Sequence, residues 1–372
     1  MAGGVASTLL SAARGDQIDG ELGLFEVDEL WLDRVAPALA PRALLLLNLF
    51  RDQLDRTGEL EAIADRWMAT VRAFPSATRL ILNADDPLLA DLGREAPNVT
   101  YFGLEDPSIA IPEMQHASDS KHCRRCGTAY AYEVIYLGHL GRYRCPSCGQ
   151  ERPQPSVAAE MITLRGIRDS SFALRTPVGA AEVRLPLPGL YNIYNALGSA
   201  ALCLALGAPL QTIATGLAVS RPAFGRAERL SIGDTDVAIL LVKNPAGANE
   251  ILRTLALERR ALDLLAILND RTADGRDISW IWDADFEMVA PRVRRVTCTG
   301  TRAAELALRL KYARFPPDRL HVVGSVSAAL DHALVAASGG ELFVLPTYTG
   351  LLELRDELTA RGHVPRFWER QE

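Results

Sequence analysis

Apolar positions fall into short continuous runs separated by stretches with helical spacing. Residues 1–14 read as the end of a helix with Val5, Leu9 and Leu10 on one face. Residues 22–27 (Leu-Gly-Leu-Phe-Glu-Val) read as a buried strand that delivers Glu26, and a helix over 29–36 is closed by Pro37. A second buried strand covers 43–49. Helix 58–73 then carries Leu60, Ile63, Trp67 and Val71 at helical intervals. Strand 78–83 runs into Asp85-Asp86-Pro87, where Asp86 caps a short helix with proline at its first position. Strand 98–103 completes the run. Strands alternating with helices predict a parallel sheet covered on both faces.

The pattern breaks at 105–155, a polar, proline-rich stretch holding four cysteines that reads as an inserted module. Residues 158–186 alternate with period two and turn at Pro177-Val178-Gly179, which predicts a hairpin. Helices follow over 191–206 and 209–219. Residues 221–235, rich in Arg, Pro and Gly, read as a boundary. A second α/β run has strands at 237–242, 262–268, 295–299, 319–323 and 341–345, with helices between them that include 301–312 and 348–361. It reads as Rossmann-like by pattern, without the Gly-x-Gly-x-x-Gly fingerprint that would support a dinucleotide site.

Composition narrows the function classes. The chain has 372 residues, 48% apolar and 23% charged, which suits a globular protein of two or three domains. The net charge is −6 and no basic run occurs, so nucleic acid has no electrostatic footprint. No stretch approaches the roughly 18 uninterrupted apolar residues of a membrane span, and the N-terminus lacks the basic and apolar regions of a secretory signal. The expected location is the cytoplasm. Cys203 and Cys298 sit alone in apolar segments and read as small core hydrophobes.

The other four cysteines form two pairs, Cys123-Arg-Arg-Cys126-Gly127 and Cys145-Pro-Ser-Cys148-Gly149, separated by eighteen residues. Cys-x2-Cys repeated at that interval is the ligand spacing of a zinc ribbon, and glycine after each pair permits the tight turn that aims amides at the thiolates. Four thiolates close the coordination shell, so a Zn2+ held there is structural. The segment between the pairs is β-prone. Arg124, Arg125, Tyr130, Arg142 and Tyr143 flank the site and read as solvated surface.

Six further segments, taken in order, carry a resemblance. They are Leu24-Phe-Glu-Val-Asp-Glu29, Asn48-Leu-Phe-Arg-Asp-Gln-Leu-Asp-Arg-Thr-Gly-Glu59, Asn83-Ala-Asp-Asp-Pro87, Gly189-Leu-Tyr-Asn-Ile-Tyr-Asn-Ala-Leu197, Gly225-Arg-Ala-Glu228 and Asp274-Gly-Arg-Asp-Ile-Ser-Trp-Ile-Trp-Asp283. Together with the ribbon they resemble the Mur ligase family, and within it the MurT-type synthetase subunits of peptidoglycan biosynthesis. The resemblance implies a central ATP-binding domain over 1–225, with the zinc ribbon inserted at about 119–152, and a Rossmann-like C-terminal domain over 233–372. It also implies ATP-dependent amidation. A phosphoryl group passes to the D-glutamate α-carboxylate of the lipid II stem peptide at the inner membrane face, and ammonia from a GatD-type glutaminase partner displaces it.

By the same resemblance Glu26 holds Mg2+, Asn195 contacts adenine with Asn192 beside it, and Asp277 orients the glutaminase histidine, with Asp274 as second choice. Each has a plainer reading. Asn192 and Asn195 can cap a helix, Asp52 and Asp55 can begin a solvated one, and Asp277 can serve a turn. Trp280 and Trp282 read as interface or core anchors. One departure stands out. The family's Gly-x-x-x-x-Gly-Lys-[Ser/Thr] phosphate loop is absent, which implies a start placed too far downstream or a truncated chain deficient in ATP chemistry. The alternatives are a ribbon protein that binds without catalysis and a Mur-type amino-acid ligase. Against the latter, Leu241-Val-Lys-Asn-Pro245 replaces the family's Asp-Tyr-Ala-His-x-Pro segment.

Overall fold

The computed structural model describes residues 2–15, 17–51, 60–115, 118–222 and 226–365. Asp52, Asp55 and Gly225, all within the motifs above, lie outside the described residues.

Helix α1 (Ala2–Ser11) is mostly exposed. The first half then runs α2 (Leu32–Leu39), β1 (Ala43–Leu46), α3 (Leu60–Ala73), β2 (Arg79–Asn83), α4 (Pro87–Leu92), β3 (Val99–Leu104), β4 (Ala131–Leu137), β5 (Leu140–Arg144), β6 (Val157–Leu164), β7 (Ser170–Thr176), β8 (Gly179–Leu185), α5 (Leu190–Ala205) and α6 (Leu210–Ala218). Six strands make one sheet in the order β8-β7-β6-β3-β2-β1. The pairs from β1 to β6 are parallel and the last two antiparallel. Alternation along the strands sends Leu80 and Leu82 to a core with α2, α3 and α4, and Ile81 to a core with α5 and α6.

The structure departs from the sequence pattern at two places. Residues 22–27 form no strand, and Leu22 and Leu24 are largely exposed. Their apolar run has no neighbouring strand to pair with, since β1 ends the sheet among the described residues. Pro37 also sits inside α2 and does not close it; the helix ends at Ala40, whose left-handed conformation (φ 43°) lets its N–H reach the Ala36 carbonyl.

The second half comprises β9 (Arg226–Ile232), β10 (Thr235–Leu240), α7 (Pro245–Ala256), β11 (Leu262–Ile267), β12 (Val293–Thr299), α8 (Ala303–Tyr312), β13 (Leu320–Val322), α9 (Val326–Ala337), β14 (Glu341–Pro346) and α10 (Tyr348–Ala360). Its sheet has the order β9-β10-β14-β11-β12-β13, parallel except for the β9–β10 hairpin. β9 falls where the sequence suggested only a boundary. Its polar composition hid a strand that starts at a bulge, with Ala227 at φ 62°.

Helix α7 joins the halves. Arg253 donates to the Tyr136 carbonyl (2.6 Å) and to that of Ile109. Just past the helix, Glu258 accepts from the Ile167 amide (2.8 Å), and Ile167 itself is buried in the second half's core. One turn before Thr254, Glu250 is 2% exposed with neither carboxylate oxygen hydrogen-bonded; the Arg253 guanidinium is 3.7 Å away. Burial raises its carboxyl from 4.5 to about 7, against the pull of Arg253.

A folded-state pKa above the unfolded one means stability that is complete below about pH 4.5 and lost as pH rises through about 7. A shift of that size corresponds to about 3 kcal/mol. Glu250→Gln keeps the shape without the charge. Its melting temperature should match wild type near pH 4.5 and exceed it at pH 8. Parallel melting curves across that range for both proteins would refute the assignment.

Candidate functional site

Strands β4 and β5 form an antiparallel hairpin, and the cysteine pairs lie at its open end. Each pair closes a similar knuckle. The Gly127 amide donates to the Cys123 carbonyl (2.8 Å) and that of Gly149 to Cys145 (3.0 Å), with both glycines near φ +73° to +74°. A side chain there would strain the turn, which explains the glycines. The four Sγ atoms lie within 4.8 Å of one another, Cys123–Cys148 at 3.5 Å and Cys126–Cys145 at 3.4 Å, with all four thiols free. Disulfide sulfurs would be about 2 Å apart. A tetrahedron with metal–sulfur bonds of about 2.3 Å has edges of about 3.8 Å, so the set fits a thiophilic metal ion.

Of the flanking residues Arg125 is exposed as expected, but the other four are not solvated surface. Tyr130 and Tyr143 are buried against Cys123, Cys145 and Ala90. Arg124 pairs with Asp65, and Arg142 with Glu105 at 2.6 Å. These contacts fix the ribbon onto the first sheet through charge and ring packing.

Beneath the hairpin lies a polar floor that sequence reasoning passed over. The Asp85 carboxylate is fully buried and accepts from the Leu104 amide (2.9 Å), the Tyr194 hydroxyl (2.8 Å) and Arg152 Nε (2.5 Å). Burial raises its pKa and Arg152 opposes the rise. Asp86 caps α4, as expected, by accepting from Leu88 (2.9 Å), and its other oxygen accepts from Leu49 (2.8 Å). His139, wholly buried and packed on Phe50, places Nε2 3.7 Å from that same Asp86 oxygen. Arg51 pairs with Asp119 of the insert and approaches Asp283 of the second half at 3.6 Å.

Glu26 is exposed and lines a cavity of about 660 Å³ along β1, with Asn48, Leu44 and Leu202 among its walls. Asn192 and Asn195 stand at the start of α5 and do not line it. The Asn192 amide donates to the Pro188 carbonyl (2.7 Å), which is helix-start chemistry. Asn195 is half-buried. The cavity lined by Glu26 thus does not include the asparagines.

In the second half, the loop after β11 separates the two aspartates. Asn269 and Asp274 tie the loop to the start of α10. Asp274 is buried and accepts from the Thr349 amide (2.7 Å) and hydroxyl, and from the Arg271 amide (3.2 Å). Asp277 is exposed, and hydrogen bonds from Ser279 hold its carboxyl below the usual range. Trp280 is a core residue. Trp282 is half exposed, edge-on to Tyr312 at 5.7 Å, with the Arg309 guanidinium 5.6 Å from its ring.

Comparison with known proteins gives two family matches: the Mur ligase middle domain over residues 4–145 and the MurT ligase C-terminal region over 241–351. The chain is 32% identical over 360 residues to the MurT subunit of the glutamine-hydrolyzing lipid II isoglutaminyl synthase of Streptococcus pneumoniae, covering 96% of this chain and 78% of that one. Its Staphylococcus aureus counterpart is 29% identical over 363 residues, with the same coverage. Among solved structures, a pseudomurein peptide ligase type C from Methanothermus fervidus superposes with a TM-score of 0.68 at 23% identity, over 89% of this chain and 65% of that one. MurF from Acinetobacter baumannii gives 0.61 at 18%, over 89% and 62%. The chain thus spans somewhat under two thirds of those solved chains. No described helix is long and apolar enough to cross a membrane.

The two aspartates predict opposite behaviour. Asp274→Asn removes a buried acceptor and should cost about 1–3 kcal/mol in denaturant unfolding. Asp277→Asn alters an exposed carboxylate and should leave the unfolding midpoint almost unchanged. Equal losses would mean that Asp277 is a structural residue too.

Proposed function

Because the chain belongs to the MurT family of Mur-type ligases, we propose that it is the synthetase subunit of a lipid II isoglutaminyl synthase. The single observation behind this reading is the 32% identity over 96% of the chain to the pneumococcal subunit. The reaction is ATP-dependent amidation of the D-glutamate α-carboxylate in the lipid II stem peptide to D-isoglutamine. A carboxylate is a poor electrophile, so its oxygen first takes a phosphoryl group. Ammonia then attacks the carbonyl carbon and phosphate leaves. A GatD-type glutaminase, bound as a heterodimer, supplies the ammonia. The work is cytoplasmic, at the inner membrane face where lipid II is presented.

Residue roles follow the motifs. The four cysteines hold one structural Zn2+. Their spacing, their free thiols and their 3.4–3.5 Å contacts support this. Glu26, exposed at the cavity beside β1, is the carboxylate offered to Mg2+, which when bound neutralises phosphate charge. Asn195, half-buried at the start of α5, serves adenine, while the bond from Asn192 to Pro188 favours a structural part for Asn192. Asp277 is the acid that holds the glutaminase histidine in one tautomer. Its exposure supports this, as does the engagement of Asp274 with Thr349. The second domain, given from the sequence as 233–372, is better begun at β9, and the pairing of β9 with β10 supports this.

Two measurements test the reading. Metal analysis of protein purified without chelators should find one zinc per chain, lost in Cys123→Ser. That substitution should loosen the knuckles while both sheets stay folded. In complex with the glutaminase, Asp277→Asn should lower glutamine-driven amidation by orders of magnitude, by analogy with the ~10⁴ effect of the comparable change in a serine protease triad. Ammonia-driven amidation should persist. If both rates fall together, the aspartate serves the synthetase or the fold.

A further inference from the structure

We propose that the cleft where β11, β12 and β13 enter the second sheet binds a diphosphate or polyphosphate anion. The cleft measures about 430 Å³, and Arg259, Arg260, Arg292, Arg294 and Arg319 line it. The topology gathers them. Arg259 and Arg260 precede β11, Arg292 and Arg294 flank the first residue of β12, and Arg319 precedes β13; these three strands are neighbours. They come from turns far apart in sequence, within a chain whose net charge is −6.

Little compensates this charge locally. Arg294 pairs with Asp263, and no other carboxylate lies within 4.0 Å of the five guanidiniums among the described residues. At longer range Arg260 also acts on Glu341. The backbone positions the arginines instead. Arg292 donates to the Ala256 carbonyl (2.7 Å), and Arg319 donates to that of Val293 (2.9 Å). A neutral acceptor fixes a guanidinium without cancelling its charge. Each guanidinium has five N–H groups in a planar fork that matches phosphate oxygens. Several forks around one concave space call for a ligand with more than one phosphate. The cleft is compact, unlike the long basic stripe that tracks a nucleic acid. It also lies at the end of the sheet opposite the loop that carries Asp277, about 17–20 Å away for strands of ordinary length. The site is therefore independent of the amidation chemistry proposed above.

Two sources present this chemistry: a soluble di- or polyphosphate, and clustered phosphates on an anionic bilayer. The test uses the full chain and its Arg259→Gln/Arg260→Gln double variant. Both side chains are exposed, so thermal unfolding should be unchanged. Calorimetric titration with inorganic pyrophosphate should show binding that weakens about tenfold or more in the variant, as loss of charge-assisted hydrogen bonds requires. Flotation with phosphatidylglycerol vesicles, against phosphatidylcholine controls, separates the sources. Pyrophosphate binding without flotation assigns a soluble ligand, and flotation that pyrophosphate displaces assigns a headgroup. The proposal is overturned if wild type binds neither probe, if the variant binds as well as wild type, or if pyrophosphate fails to displace the vesicles.

Discussion

A buried carboxylate, Asp85, governs how the first half is assembled. An ionised group removed from water must be matched by donors or it destabilises the fold by several kcal/mol. Asp85 collects its donors from four places: the end of β3 through Leu104, helix α5 through Tyr194, the segment after the ribbon through Arg152, and, at its own carbonyl, the Gly141 amide of β5 (3.0 Å). Satisfying this one residue, at its carboxylate and its carbonyl, thus fixes sheet, helix and insert in a single arrangement. Arg152 extends the effect by reaching Glu105 (2.8 Å) and the Leu104 carbonyl (2.9 Å). The cluster is packed so closely that a Cβ on Gly103 would lie 2.8 Å from the Asp85 carboxylate and 2.9 Å from Arg152. Gly103 provides that room.

This changes what the cysteine insert is. Its hairpin contributes Val134, Tyr136, Leu137 and Leu140 to the same core as α5 and the sheet, and Arg253 from the second half grips the Tyr136 backbone. The knuckles lie at one end of a hairpin whose other end is structural. A metal at the four thiolates would therefore order the knuckles, while the rest of the hairpin is held by packing and by the Asp85 network. Position, more than metal alone, ties the insert to both halves.

Local pattern revealed most of the elements, because their apolar periodicity is a property of neighbouring residues. The period-two run over β7 and β8 and the Asp86-Pro87 helix start were legible for that reason. The cysteine spacing was legible because each knuckle is itself local. Failures occurred where partners decide. Residues 22–27 look like a strand but have no edge to join, while β9 looks polar yet has β10 as its partner. Asp85 and Arg152 are 67 residues apart, and nothing in either segment indicates that one will neutralise the other. Tyr130 and Tyr143 looked like surface because aromatic and arginine neighbours are ambiguous until the ribbon is docked.

The second sheet places the two sites proposed for it at opposite ends. In a parallel sheet the strand C-terminal ends collect the loops that carry function, and here the loop after β11 carries Asp270, Asp274, Asp277 and Asp283 together with Arg271 and Arg276. The fold then sorts these acids by burial. Asp270 pairs with Arg302 (2.7 Å), Asp274 is enclosed by Thr349, and Asp277 is left at the surface with its carboxylate accepting from Ser279. Asp274 and Asn269 anchor the loop on the N-terminal side of Asp277, so the role proposed for it would rest on a carboxylate that is exposed and held in place. The strand N-terminal ends are instead crowded with arginine, where parallel strands bring separate turns side by side. Charges at opposite ends of one sheet interact weakly across its length in solvent. The affinity of an anion at the arginine cleft would therefore be set there, with little influence from the aspartates at the other end.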